Sequence, residues 1–293
     1  MKYRKLFVCA LPLLLMVGCS DDDGITPGRA VPPAATVRFV NATVDTGTVD
    51  LSFVDIVENL PTLKGIAFQS HSGGYQRVQP GTRAARVFPN SSDLNLTQVR
   101  LVDTNLNLAA NTRYTLVYAG RARSGAPANE AHRLHVIEDP ATPPTPPAGQ
   151  IALQALNAAV GVGNVDVYIV PVASATADTP ADFATNNAGR LNNVAFLGKA
   201  NAYVNVPALT GTMLYRFVVT AAGSQTPLFA TTVNQPGVAA PAGASHGPQP
   251  GVRIAGSVMT AVVLPGSTPG SRQSTATNQN QTVALLIDRV LNP

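Results

Sequence analysis

Apolar and polar residues alternate at intervals of two along much of the chain. Val49, Leu51 and Phe53 are separated by Asp50 and Ser52, and Val165, Val167 and Ile169 by Asp166 and Tyr168, so each run sets an apolar row on one face of a strand. Comparable short runs are VRFVN, TRAARVF, TQVRLVD, TRYTLVYAG and RLHVIE in the first half, and IALQALN, NAYVNV, LYRFVVT, VMTAVVL and VALLID in the second. Clusters of Gly, Pro, Asn and Ser such as QPGT, PNSSD and NQPG lie between them and supply turn geometry. The only helix expected is a turn or two after Thr179-Pro180. About seven short strands per hundred residues, with no interleaved helices, predict an all-β protein with a β-sandwich in each half.

The halves are copies of one unit. NATVDTGTVDLSFV at 41–54 and NAAVGVGNVDVYIV at 157–170 match without a gap, and Asn41/Asn157, Gly47/Gly163 and Asp50/Asp166 are among the identical positions. Further on, Leu63, Ala67, Phe68, Tyr75 and Val78 match Leu191, Ala195, Phe196, Tyr203 and Val206 at a larger common offset. The added residues fall in PVASATADTPADFATNN, read as a loop. Between the copies, DPATPPTPPAG at 139–149 combines fixed φ angles with missing N–H groups and predicts a semi-rigid extended linker. The organisation expected is therefore a sandwich at 36–140 and a second, with long loops, at 150–293.

The N-terminus has a different pattern. Lys2, Arg4 and Lys5 precede an apolar run from Leu6 to Val17 that ends in small residues, the layout of a secretory signal, and the run is shorter than the roughly 20 residues a membrane-spanning helix needs. Its end, Leu15-Met16-Val17-Gly18-Cys19, resembles the lipobox of bacterial lipoproteins. That resemblance implies removal of residues 1–18, acylation of Cys19, a membrane partner through this anchor, and a flexible tether at 19–35. Ser20 after the cysteine resembles the sorting pattern that releases lipoproteins to the outer membrane of Gram-negative bacteria. Asp21 to Asp23 are read either as a surface-export signal or as a solvated spacer, and Cys9 as a cysteine of the apolar segment.

Taken together, the paired N-A…V-D strands, the segments Ala67-Phe68…Gly74-Tyr75 and Ala195-Phe196…Tyr203, the strand Tyr114-Thr115-Leu116-Val117 and the lipobox resemble a bacterial family called domain of unknown function 4397. The pattern is clearer at 37–120 than in the second copy, where Pro-Gly loops at 234–251 and 265–280 dilute it. The resemblance implies two tandem immunoglobulin-like or transthyretin-like sandwiches and a cell-envelope location. It transfers no activity and no catalytic residue.

Composition narrows the partners. Lys+Arg number 20 against Asp+Glu 16, and three of the basic residues lie in the signal, so the rest of the chain is nearly neutral and nothing points to nucleic acid. Charged residues are 12% and Trp is 0, so exposed aromatic platforms for sugars are scarce, although Tyr and Asn can also bind them.

Candidate chemistry is sparse. Gly243-Ala244-Ser245-His246-Gly247 fits G-x-S-x-G, but its flanks are a Pro-Gly loop without the strand and helix a nucleophile elbow requires. His132, His135 and Glu138 suggest a metal set, yet residues three apart on a strand point to opposite faces, and edge histidines are the preferred reading. Asp50 and Asp166 are read as carboxylates on the solvent side of the pleat that accept hydrogen bonds from a neighbouring loop, the alternative being a repeated ligand or calcium contact. Asn41 and Asn157 share that structural reading, and Tyr75 and Tyr203 are expected to be buried with a satisfied hydroxyl. No catalytic residue, metal or cofactor is expected. The function expected is a non-enzymatic envelope or adhesion-type module that binds an extracellular or envelope macromolecule through the loops at 171–190 and 234–251. The alternatives are a glycan-binding accessory lipoprotein and a hydrolase using Ser245.

Overall fold

The periodicity of two is realised as sixteen strands in a computed structural model that describes residues 32–56, 63–271 and 275–291. The first half contains β1 (Ala35–Thr43), β2 (Val49–Phe53), β3 (Ser70–His71), β4 (Gln76–Val78), β5 (Gly81–Pro89), α1 (Leu94–Thr97), β6 (Val102–Leu108), β7 (Arg113–Gly120) and β8 (Arg133–Asp139). One sheet runs β3-β1-β7-β8, with β4 also paired to β1, and the facing sheet runs β2-β5-β6. The second half contains β9 (Gln150–Asn157), β10 (Val165–Val172), β11 (Gly189–Val194), β12 (Val204–Pro207), β13 (Leu214–Ala221), β14 (Pro227–Thr232), β15 (Val258–Leu264) and β16 (Thr282–Ile287). Its sheets run β12-β9-β15-β16 and β11-β10-β13-β14. In both halves the first strand pairs in parallel with the penultimate one, β1 with β7 and β9 with β15.

Each half is a sandwich around its own core. Val37, Phe39, Leu51, Val87 and Leu116 fill the first, and Ile151, Leu153, Val167, Phe217 and Val263 the second. Burying these rows removes apolar surface from water at roughly 25 cal/mol per Å².

The copies agree at the level of single hydrogen bonds. Asn41 Nδ2 donates to the carbonyls of Gly47 (2.7 Å) and Ile66 (3.0 Å), and Asn157 Nδ2 to those of Gly163 (2.8 Å) and Val194 (3.1 Å). Gly47 and Gly163 turn the chain at φ 80° and 69°, a left-handed conformation that favours glycine. Asp50 Oδ1 accepts from the Gly65 N–H at 2.6 Å, and Asp166 Oδ1 from the matching Asn193 N–H at 2.7 Å.

Several expectations are corrected. The helix is α1, started by Asp93, whose carboxylate accepts from the Asn95 N–H at 3.0 Å. It takes the first residue of TQVRLVD, so strand β6 begins only at Val102. After Pro180 the chain forms turns and no helix. Strands β11 and β14 were absent from the sequence reading, because GRLNNV and PLFATT carry too few apolar residues to show a period. Asp166 does not face solvent but is 1% exposed, since it also accepts from the Gly223 N–H (2.7 Å) and Arg190 Nη2 (2.6 Å).

The linker does not hold the sandwiches apart. Arg113 Nη1 donates to the Pro140 carbonyl at 3.3 Å, and Arg289 Nη1 reaches the Pro144 carbonyl (3.3 Å) and Thr145 Oγ1 (3.1 Å). Pro146 is buried, and the described residues from Pro33 onward form one compact unit.

Asn157→Ala would strand the buried Val194 carbonyl and the Ala159 N–H and free the Gly163 carbonyl, and is expected to cost about 1–3 kcal/mol. Urea denaturation should show a lower midpoint with an unchanged slope.

Candidate functional site

The outer face of sheet β3-β1-β7-β8 packs on the outer face of β12-β9-β15-β16. This explains why β1, β7, β9 and β15 are buried along nearly their whole length. The seam is layered along the strands. Val40, Val117, Leu156, Val262 and Leu286 form its apolar centre, followed by Ala42, Ala119, Ala158 and Leu264. At one end lies a charged layer, and at the other the seam opens into a cleft.

The charged layer is built from matched positions of the two copies. Thr115 Oγ1 and Tyr75 Oη donate to Asp139 Oδ2 at 2.6 and 2.8 Å, while Thr260 Oγ1 and Tyr203 Oη donate to Asp288 Oδ2 at 2.8 and 3.1 Å. The cations differ. Sandwich one supplies Arg38 where sandwich two has Gln154, and sandwich two supplies Lys199 where sandwich one has His71. Arg38 is 0% exposed, with Nη2 at 2.8 Å from Asp288 Oδ1 and 3.8 Å from Asp139 Oδ2. The shorter approach is a charge pair outside hydrogen-bond alignment, so neither atom gains a directed bond from it. Arg38 Nε donates to Thr115 Oγ1 (2.8 Å) and Nη1 to the Ile287 carbonyl (3.1 Å). Lys199 Nζ pairs with Asp139 Oδ1, and Arg113 Nη2 donates to the Asp288 carbonyl. The Tyr75 ring lies 4.5 Å from the Arg38 guanidinium and 4.1 Å from that of Arg113.

The electrostatics follow from this placement. Burial would lower the Arg38 pKa, but Asp288 and then Tyr75 and Asp139 outweigh it and hold the guanidinium above its ordinary value. Burial would raise Asp139, yet Arg38 and Lys199 keep its carboxyl below the usual range. Tyr75 and Tyr203 are both pushed up, first by burial and then by the carboxylates beside them. His71 is lowered by burial and by Arg38.

Of the residues singled out in the sequence, only Tyr75 and Tyr203 come together in this layer. Asn41, Asn157, Asp50 and Asp166 hold loops within their own sandwiches, and Asp50 also accepts from Asn90 Nδ2 at 3.0 Å. Ser245 and His246 are exposed in the loop between β14 and β15, with no adjoining helix. His132 Nδ1 lies 2.8 Å from Tyr118 Oη; burial lowers His132, and burial with Arg133 lowers His135. Glu138 is exposed on β8. Among the described residues, no three His, Cys, Asp or Glu are placed to hold a metal ion. Cys9, Cys19 and Asp21 to Asp23 lie outside the described residues. The inserted loop between β10 and β11 does not stand free: Phe183 packs edge-on against Tyr168 at 5.1 Å on the outer face of its sheet.

Sequence reasoning missed Arg38, Lys199, Asp139 and Asp288. An acid at the end of the last strand in both copies, in VIED and LLID, was the available signal for two of them.

At the other end, Val44 and Arg121 of sandwich one and Val160, Val162, Pro265, Pro269 and Gln281 of sandwich two line an open cleft of ≈ 330 Å³. Arg121 Nε donates to Glu130 Oε2 at 2.8 Å.

Fold and seam define the class, a tandem β-sandwich protein with a polar lock between its sandwiches. Residues 35–168, which take in all of sandwich one, β9 and the first half of β10, match the model of a family described as Domain of unknown function (DUF4397), and this supports the family over that stretch. No curated protein matches the chain. Solved structures with some likeness include the fimbrial anchor protein Mfa2 from Porphyromonas gingivalis, 9% identical, covering 88% of this chain and 99% of that one with a TM-score of 0.24. A second concerns alpha-glucan binding by a streptococcal virulence factor, 8% identical, covering 85% of this chain and 95% of that one with a TM-score of 0.22. At such scores the likeness carries no argument about fold or function.

Because Asp139 titrates below its unfolded value of about 3.9, its stabilisation is complete above that pH and is lost as pH falls through the folded value. Arg38→Met leaves the buried Asp139 with Lys199 and the buried Asp288 with no ion-pair partner among the described residues, and is expected to cost about 3–5 kcal/mol at pH 7. With Arg38 gone, burial acts on the Asp139 carboxyl with only Lys199 left as a cation opposing it, so the variant should recover part of the loss on acidification to pH 5. Urea midpoints for both proteins at the two pH values check the magnitude, and Asp139 should contribute no change to the wild type between them, because both lie above its unfolded value.

Proposed function

We propose that this protein is a lipid-anchored, non-enzymatic binding module of the bacterial cell envelope, acylated at Cys19 and held at the outer membrane of a Gram-negative cell. In this reading both halves are sandwiches of the DUF4397 type with an immunoglobulin-like arrangement, and the body they form is presented to an envelope or extracellular macromolecule. The observation that carries it is the fate of the repeat-matched polar side chains. Asn41, Asn157, Asp50, Asp166, Tyr75 and Tyr203 spend their polar atoms on backbone groups, neighbouring side chains or the seam carboxylates, which builds a rigid scaffold and not a reaction centre. The lipobox at Leu15–Cys19 supports the anchor. A hydrolase using Ser245 is disfavoured by the exposed loop around it. Glycan binding is the second reading, favoured by the cleft, whose walls offer donors and acceptors beside aliphatic surface.

Wild-type cells grown with labelled palmitate are expected to label the protein and to carry it in the outer-membrane fraction. Cys19→Ala should abolish the label and release the protein to the soluble fraction. Equal partitioning of the two proteins would overturn the anchor.

A further inference from the structure

The seam is filled with side chains at each layer until Val44, Arg121, Val160 and Gly266. There the position matching Arg121 in the second copy is Gly266, which lines a gap beside the arginine. A Cβ on Gly266 would meet the Gln279 carbonyl at 1.9 Å, so the loop can pack here only as glycine. The cleft here reaches the lower end of the size range of small-molecule sites, about 300–1,000 Å³.

Its walls are fixed from both sandwiches. The Thr268 N–H donates to the Val44 carbonyl at 2.9 Å, and Gln69 Nε2 reaches across to the carbonyls of Pro265 and Asn280 at 2.7 Å each. On the other side, the Asp45 carboxylate accepts from the N–H groups of Ala122 (2.8 Å) and Arg123 (3.0 Å), which sets the stretch carrying Arg121. A preformed cleft binds without the ordering cost that a mobile loop would add.

The ligand class follows from the groups on offer. Arg121 uses Nε on Glu130, and among the described residues its two terminal nitrogens have no hydrogen-bond partner. A Cβ on Gly161, which lines the cleft, would lie 3.3 Å from Arg121 Nη2, so glycine leaves room beside that nitrogen. A carboxylate ligand would have to compete with Glu130, which already pairs with the guanidinium at 2.8 Å. An apolar ligand would take the terminal nitrogens of Arg121 and the Gln281 amide out of water without partners, at a cost of about 1–3 kcal/mol each. Vicinal hydroxyls accept from Arg121 and donate to or accept from the Gln281 amide, while Val44, Val160 and Pro265 offer aliphatic surface to the C–H face of a ring. We infer that the cleft is a binding site for one or two neutral hexose units of a glycan. The inference rests on the binding-module reading and names its ligand.

The test is ligand-observed saturation-transfer NMR on the full chain in detergent, with methyl glucoside, galactoside and mannoside and with glucuronate. Binding of the same protein, fluorescently labelled, to intact bacterial and host cells is measured in parallel. The expected result is transfer to at least one neutral glycoside, weakened tenfold or more by Arg121→Ala at unchanged melting temperature. Should that variant fail to fold, Gln281→Ala is expected to weaken the same signal. Undiminished transfer to a folded Arg121→Ala and to Gln281→Ala would overturn the cleft as the site while leaving a glycan-binding protein. Transfer to glucuronate alone would replace the proposal with an anion site. No transfer to any sugar, with cell binding intact, would overturn the inference and spare the binding module, whereas loss of both would remove the two together.

Discussion

A guanidinium with no exposure to water constrains everything around it. Moving one charge out of water costs several kcal/mol after relaxation, and the cost is offset only where opposite charges and hydrogen bonds are in place. Arg38 finds its carboxylates in two different places, Asp139 at the end of the first sandwich and Asp288 at the end of the second. Neither sandwich alone satisfies it. Lys199 from the second copy completes the balance by pairing with Asp139, so two positive and two negative charges, one of each from either copy, close on one another. The apolar layers beside them supply the drive to associate, and the charges set the register in which association is tolerated.

The same requirement explains the linker. A Pro-rich segment of this length could span an open gap, yet its first residue is Asp139, already committed to Arg38, Thr115 and Tyr75. With that end held in the seam and Arg289 gripping Pro144 and Thr145, the stiffness of the prolines shapes a fixed return path and not a spacer.

The two outer sheet faces carry different surfaces. In sandwich one, β2 and β5 show Asp50, Ser52 and Arg86, with Arg86 paired to Asp103 at 3.1 Å. In sandwich two the corresponding face carries Tyr168, Val170 and Val218 and is covered by the inserted loop through Phe183, with Arg190 over the Tyr168 ring at 4.7 Å. The insertion that marks the second copy in the sequence is thus a cover for an apolar face. At the far end of the seam the matching positions Arg121 and Gly266, which both line the cleft, have likewise diverged.

The strand period, the turn residues and the duplication were legible in the sequence because each is a local or self-referential property. Alternation at Val49–Phe53 needs only neighbours, and the match of Asn41 with Asn157 needs only a second copy of the same chain. Strands β11 and β14 escaped because their partners, and not their own composition, make them strands. The lock was hidden for a related reason. Arg38 lies in VRFVN, an apolar run whose lone charge reads as the solvent side of a half-buried strand, and only the packing of a second sheet on that side turns it inward. The sequence by itself determined an all-β chain of two related halves and which residues turn it. The tertiary structure alone decided that the halves share one buried charge cluster, because the pairing of Arg38 with Asp288 spans 250 residues of chain and is specified by no local pattern.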